Sequence, residues 1–203
     1  MKSFLVTLIA LLLITQTTNS ASNTLKVKQH IGKSTVLYYD HSTKNLNGYV
    51  LYQPGDKSWL MVGLGPRFVL PIHNRKLRIS SFFIGRFDTN NPVWPIKDIG
   101  ADTYFSLKIN KWICYNRIFI HHDLTDPGLT WWSSGRIYGG YQTSRSFKLL
   151  LQTEWRKKTS LLQSVGMGWL YRLNETLTLN GYIGEYVAGI HGRQGWFELK
   201  VKL

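Results

Sequence analysis

The stretch Gly195-Trp196-Phe197-Glu198-Leu199-Lys200-Val201-Lys202-Leu203 alternates strictly from Phe197 onward. Phe197, Leu199, Val201 and Leu203 fall on one side, and Glu198, Lys200 and Lys202 on the other. Successive side chains of a strand point to opposite faces, so the segment reads as a strand with one apolar and one charged face. The same period recurs upstream. Segment 101–109 sets Thr103, Phe105, Leu107 and Ile109 against Asp102, Tyr104, Ser106 and Lys108. Segment 146–155 opposes Phe147, Leu149, Leu151 and Trp155 to Lys148, Gln152 and Glu154. Segment 163–173 opposes Val165, Met167, Trp169, Tyr171 and Leu173 to Ser164, Gly166, Gly168 and Arg172.

Working back from the C-terminus, the pattern predicts strands near 46–53, 58–72, 76–85, 101–109, 112–121, 130–141, 146–155, 163–173, 175–187 and 194–203. No segment keeps a 3.6-residue period, so the fold class is all-β, a sandwich or a barrel. The connections decide between these two. Short ones (Asn110-Lys111, Asn174) alternate with longer ones (86–100, 122–129, 156–162, 188–193) nearly throughout. Short periplasmic turns opposite longer external loops give that alternation in an up-and-down transmembrane barrel. Greek-key connections of a sandwich do not. The expectation is a transmembrane antiparallel up-and-down β-barrel over 46–203, with about ten strands and a range of eight to twelve. Residues 22–45, including Thr35-Val36-Leu37-Tyr38-Tyr39, form a tail or one or two further strands.

Met1-Lys2 followed by the apolar run Phe4 to Ile14 has the make-up of a secretory signal peptide, assigned to residues 1–21. The run is too short for a spanning helix, which needs about 20 apolar residues. Export through it directs the barrel to the outer membrane of a Gram-negative envelope. Cys114 is the single cysteine, which excludes an intrachain disulfide.

Lys and Arg total 25 against 11 Asp and Glu, a formal net charge of +14. The basic residues are dispersed along strands rather than clustered, and a secretory start leads away from nucleic acid, so nucleic-acid binding is set aside. Lipopolysaccharide, anionic solutes and acidic surface polymers are the fitting partners. Arg67, Arg78, Lys108, Arg117, Arg136, Lys148 and Arg172 lie opposite the apolar stripes and would line the lumen as anion-binding residues. The expected role is a small porin-like pore for anionic solutes or an envelope-structural barrel. A soluble barrel with an apolar ligand inside is the inverted alternative. Aromatic residues make up 14% of the chain, and Trp59, Trp112, Trp131, Trp155, Tyr141 and Tyr171 fall near strand ends. Amphipathic rings at both ends match the girdles at membrane interfaces and favour the transmembrane sense.

The C-terminal strand resembles the terminal signal by which bacterial outer-membrane proteins are recognised for assembly. Phe197, Leu199, Val201 and Leu203 supply its alternating apolar positions. That family usually ends on an aromatic residue, where this chain has Leu203. The resemblance implies outer-membrane lipid and the assembly machinery as partners. A second, local likeness is to lipid A deacylases and outer-membrane phospholipases. His121 near the outer rim, with Ser133 and Ser134 opening the next strand, are the catalytic candidates it offers, for ester hydrolysis. Those deacylases carry His-Ser-Asn close to the C-terminus, whereas here Asp123 follows His122 in mid-chain. Asp123 and Asp126 could offer oxygen to a hard cation, but an Asp-Pro-Gly sequence is ordinary turn chemistry. His30, His41, His73 and His191 lack metal-ligand spacing. No metal and no cofactor are expected.

Overall fold

A computed structural model describes residues 22–31, 35–56, 58–72, 75–91, 93, 95–125, 131–158 and 160–203. The signal peptide assigned to 1–21 lies outside them, as do His73 and Asp126. Twelve strands follow in chain order. They are β1 (Ser22–His30), β2 (Thr35–Ser42), β3 (Leu46–Gln53), β4 (Trp59–Ile72), β5 (Arg75–Asp88) and β6 (Ile96–Ile109). Then come β7 (Trp112–Asp123), β8 (Trp131–Gln142), β9 (Phe147–Lys157), β10 (Leu161–Arg172), β11 (Leu177–Ala188) and β12 (Arg193–Lys202).

Each strand pairs antiparallel with its sequence neighbours, and β1 closes the sheet on β12 from Thr24↔Lys202 to His30↔Trp196. The count stands at the upper end of the expected eight to twelve because residues 22–42 pair as β1 and β2. Without them β3 and β12 would present bare edges to lipid, where unpaired N–H and C=O groups are costly. The connections 43–45, 73–74, 110–111, 143–146 and 173–176 share one end with both chain ends of the barrel. The connections 31–34, 54–58, 89–95, 124–130, 158–160 and 189–192 share the other, generally longer, end. The short-turn end is the periplasmic one by the usual asymmetry of such barrels.

Contacts that skip strands fix which face is inside. Asn47 Nδ2 on β3 donates to Ser80 Oγ on β5 at 2.7 Å and to Tyr104 OH on β6 at 3.0 Å. Trp196 Nε1 on β12 donates to Glu154 Oε1 on β9 at 3.0 Å. Such bonds run only through the lumen. The alternate residues therefore face outward, among them Leu64, Phe83, Leu151, Met167, Ile183 and Phe197, all exposed on the free barrel. That apolar belt needs lipid around it, which places the polar face inside and removes the inverted, soluble alternative.

The aromatic girdle forms at both rims of the outer face. Trp112 meets Tyr141 at the short-turn end, centroids 4.9 Å apart, and Trp131 meets His122 at the other end, also at 4.9 Å. At the short-turn rim Asn23 Oδ1 also accepts from Tyr39 OH at 3.1 Å and lies 2.8 Å from His41 Nδ1. Trp59 departs from the expected girdle. It shares the parity of Met61 on β4 and packs inward.

Trp59 belongs to a feature that the polar-inside pattern does not announce. Val36, Tyr49, Leu51, Met61, Phe82 and Ile84 form a buried apolar cluster on the inner wall of β2 to β5. Tyr49 lies across Gly63, where an added Cβ would come within 2.5 Å of its ring. The cluster fills part of the bore and leaves the charged wall to the other strands.

Leu151→Arg puts a charge on the outer face and should cost about 2–4 kcal/mol near the bilayer midplane. Gly63→Leu pushes against the Tyr49 ring and should cost about 1–3 kcal/mol by overpacking. Both are read as a lower unfolding midpoint in urea, followed by loss of the heat-modifiable gel shift.

Candidate functional site

Among the described residues, the lumen is where this fold gathers polar chemistry. The sequence-nominated Arg67, Arg78, Lys108, Arg117, Arg136, Lys148 and Arg172 all lie on inward-facing positions. Cross-strand registers link them, including Arg67↔Ser80, Arg78↔Ser106, Lys108↔Ile113, Arg117↔Arg136 and Lys148↔Gln142. The structure separates them into three settings.

In the middle of the barrel, an arc of aromatic rings crosses the inner wall from β3 to β8. Tyr49 meets Phe82 at 5.0 Å, Phe82 meets Tyr104 at 6.0 Å, Tyr104 meets Tyr115 at 6.0 Å, and Tyr115 stacks on Tyr138 at 4.7 Å. Arg117 lies against this arc. Its Nε donates to Asp102 Oδ1 at 3.0 Å and its Nη2 to Asp102 Oδ2 at 2.6 Å, a two-pronged pair. Its guanidinium also lies 4.5 Å from the Phe119 ring and 5.5 Å from Tyr49. Asp102 is fully buried, so Arg117 compensates a carboxylate that water does not reach.

Arg136 is different. It lies across from Arg117 on β7 and Glu154 on β9, and over the Tyr115 and Trp196 rings at 5.9 and 5.6 Å. Lys28 covers Trp196 at 4.0 Å. Glu154 already accepts from Gln152 and Trp196, and Glu198 from Asn180. Lys26 pairs with Asp40. The middle of the lumen thus holds cations on aromatic faces beside carboxylates that have hydrogen-bond donors of their own.

At the long-loop end, Arg86 pairs with Asp98, Lys97 with Asp88 at 2.8 Å, and Lys158 with Asp123 at 3.6 Å. At the short-turn end the basic residues stand differently. Among the described residues no salt bridge reaches Arg67, Lys76, Arg78, Lys108, Lys148 or Arg172. Arg67 donates instead to the Thr43 carbonyl at 3.2 Å.

Three cavities run along the bore. An outer one of about 330 Å³ lies among Lys28, Arg117, Arg136, Glu154 and Arg156. A middle one of about 450 Å³ shares Arg117 with it and extends to Asn47, Tyr104 and Arg67. An inner one of about 430 Å³ shares Arg78, Ser106 and Tyr138 with the middle one. The side chains they hold in common make them adjoining spaces of the lumen, and the middle one also reaches Ser22 and Ser42 at the short-turn ends of β1 and β2.

Of the hydrolase candidates, register puts His121 and Ser134 on the inner face and Ser133 on the outer one. His121 is 1% exposed, holds Asp98 Oδ1 at 3.0 Å through Nδ1, and stacks on Trp132 at 3.8 Å with the rings 2° from parallel. Register places His121 opposite Trp132, Ser133 opposite Ile120 on the outer face, and Ser134 opposite Phe119 on the inner face. Ser134 does line the outer cavity. His121 is therefore bonded into a packed layer with Asp98 and Arg86. Asp123 Oδ1 accepts from Thr125 N and Oγ1 at 3.0 and 2.8 Å, which is turn-capping geometry. The sequence pattern assigns 86–100 to a connection, whereas Arg86 lies in β5 and Asp98 in β6. The continuing alternation of Arg86-Phe87-Asp88 and Ile96-Lys97-Asp98-Ile99 was the available signal. Lys26 and Lys28, alternating with Leu25 and Val27, were the matching signal for β1.

No protein-family model matches the sequence, and no curated protein matches it either. Solved structures do. The "NanC porin" structure superposes with a TM-score of 0.62 at 10% identity, covering 89% of this chain and 98% of that one. The "KdgM porin in complex with disordered oligogalacturonate" gives 0.59 at 11% identity, covering 89% and 97%. OccK8 (OprE) of Pseudomonas aeruginosa gives 0.51 at 8% identity, with 83% of this chain spanning 58% of that one. The likeness is one of fold. This chain has the barrel architecture of bacterial outer-membrane porins, with the lipid-facing belt that the outer membrane requires.

Breaking the Arg117–Asp102 pair tests the energetic account of the constriction. Asp102→Ala should destabilise the barrel by about 3–5 kcal/mol, because it leaves a largely buried guanidinium without its carboxylate. Adding Arg117→Met should recover most of that loss in the urea midpoint, since neither charge is then left unpaired.

Proposed function

We propose that the barrel is a narrow channel for anionic solutes across the outer membrane. The observation that carries this reading is the inward placement of Arg78, Lys108, Arg136, Lys148 and Arg172 without salt-bridge partners among the described residues. Unpaired cations in a low-dielectric tube raise the local concentration of anions and repel cations. The aromatic arc and the apolar cluster narrow the path, so the solutes are small or threaded in extended form. An acidic oligosaccharide named with one structural neighbour is a solute of matching charge and shape class.

The packed inner wall of β2 to β5 supports a second reading, a closed barrel with an envelope-structural role. Conductance separates the two. In both, the outer surface is matched to membrane lipid and lipopolysaccharide. Phe197, Leu199 and Val201 on the outward face of β12, with Leu203 beyond it, form the segment for the assembly machinery.

Reconstituted in a planar bilayer under a KCl gradient, the protein should give a reversal potential of anion-selective sign. Arg78→Glu with Lys108→Glu should move that potential toward the cation side. A folded barrel with no conductance would favour the structural role, and a cation-selective one would overturn the channel reading.

A further inference from the structure

Charge inside the barrel is unevenly distributed, with one carboxylate of the short-turn half, Asp40, paired with Lys26. The buried carboxylates Asp98 and Asp102 sit in the long-loop half and the middle, where Arg86 and Arg117 engage them. The inner cavity at the short-turn end has the opposite character. Lys76, Arg78, Lys108 and Lys148 converge on its roughly 430 Å³, and no acidic side chain is among the described residues lining it. All four stand near the short-turn ends of β5, β6 and β9. Arg172, the last residue of β10, adds its charge within electrostatic range of Lys148.

Such a cluster repels itself. A monovalent ion relieves only one contact at a time, whereas a single ion carrying several charges relieves several together. Once its first charge is bound, the others meet their partners at high effective concentration. The donor set fits that role. Arg78 offers a planar fork for carboxylate or phosphate oxygens, and the lysines offer point charges on flexible stems. Ser106 and Tyr138 add hydroxyls to the same lining. The volume lies within the range of small-ligand pockets.

We propose that the inner cavity is a binding station for multiply charged anions, carboxylates or phosphates, held at the periplasmic end of the bore. The proposal rests on the channel reading above and adds to it a site, a ligand class and a polarity. A solute entering from the long-loop end first passes an outer cavity where Glu154 stands among Lys28, Arg136 and Arg156, and meets the cavity lined by no described carboxylate last. A multivalent anion arriving from the short-turn side meets that cavity at once.

Single-channel recording in KCl with tripolyphosphate as blocker tests this, with citrate as the carboxylate counterpart. In the unmodified protein, tripolyphosphate in one chamber should block at a concentration at least about tenfold lower than in the other. The triple variant Lys76→Gln/Lys108→Gln/Lys148→Gln should weaken that block by at least about tenfold, and Arg156→Gln in the outer cavity should change it less than about twofold. Block by only one of the two probes supports the site for that oxyanion chemistry. Block of equal strength from both sides, or block that survives the triple variant, overturns the proposal. The sidedness in the unmodified protein stands as a test even if the triple variant does not fold. The reversal potential of the same channels, read without blocker, judges the channel reading separately. Anion selectivity with symmetric block would remove the binding station alone.

Discussion

Closure of the sheet is the constraint on which everything else in this barrel depends. Within lipid, a backbone N–H or C=O without a partner has no water to turn to, so no strand may be left with a free edge. β1 meets that requirement by pairing along its length with both β12 and β2. Once the ring is closed, the two-residue period of each strand divides its side chains between a lipid face and a lumen. Leu25 and Val27 go out, and Lys26 and Lys28 go in, for no reason other than parity.

The interior then has to be filled without water or with its charges compensated, and this molecule does both on different walls. From β2 to β5 the inner face is packed with Val36, Tyr49, Leu51, Met61, Phe82 and Ile84. Around β6 to β8 it passes into stacked tyrosines, and Arg117 lies on this boundary with one side on rings and the other on Asp102. A guanidinium suits that position because it is planar, weakly hydrated for a cation and able to grip a carboxylate with two donors. The polar path is pressed toward the opposite wall, where Lys28, Arg136, Trp196 and Glu154 meet.

Along the axis the balance changes again. The long-loop half spends its carboxylates on Arg86, Lys97, His121 and Lys158, giving a cross-linked outer layer. The short-turn half keeps Lys76, Arg78, Lys108, Lys148 and Arg172 without salt bridges among the described residues. A bore with carboxylates among its cations toward one end and a cavity lined by no described carboxylate at the other is not symmetric toward a charged solute, and this asymmetry is a property of the arrangement rather than of any single residue. The net charge of +14 is therefore a poor guide by itself, because it does not say where the surplus sits.

Much of the architecture was legible in the chain alone. Alternation in 101–109, 146–155 and 197–203 determined strand and face, because side-chain direction in a strand depends only on position parity, and the aromatic residues near strand ends favoured the transmembrane sense. It also put Arg78, Lys108, Arg117, Arg136, Lys148 and Arg172 on the inward face. What the tertiary structure decided was which side chains meet across the bore. Trp59 turned from the girdle to the interior, and Ser133 turned away from His121. Asp102 came to Arg117, and Lys76, Arg78, Lys108 and Lys148 came together from three strands. Those meetings follow from the register between strands and the tilt of the closed ring, which parity within one strand does not contain.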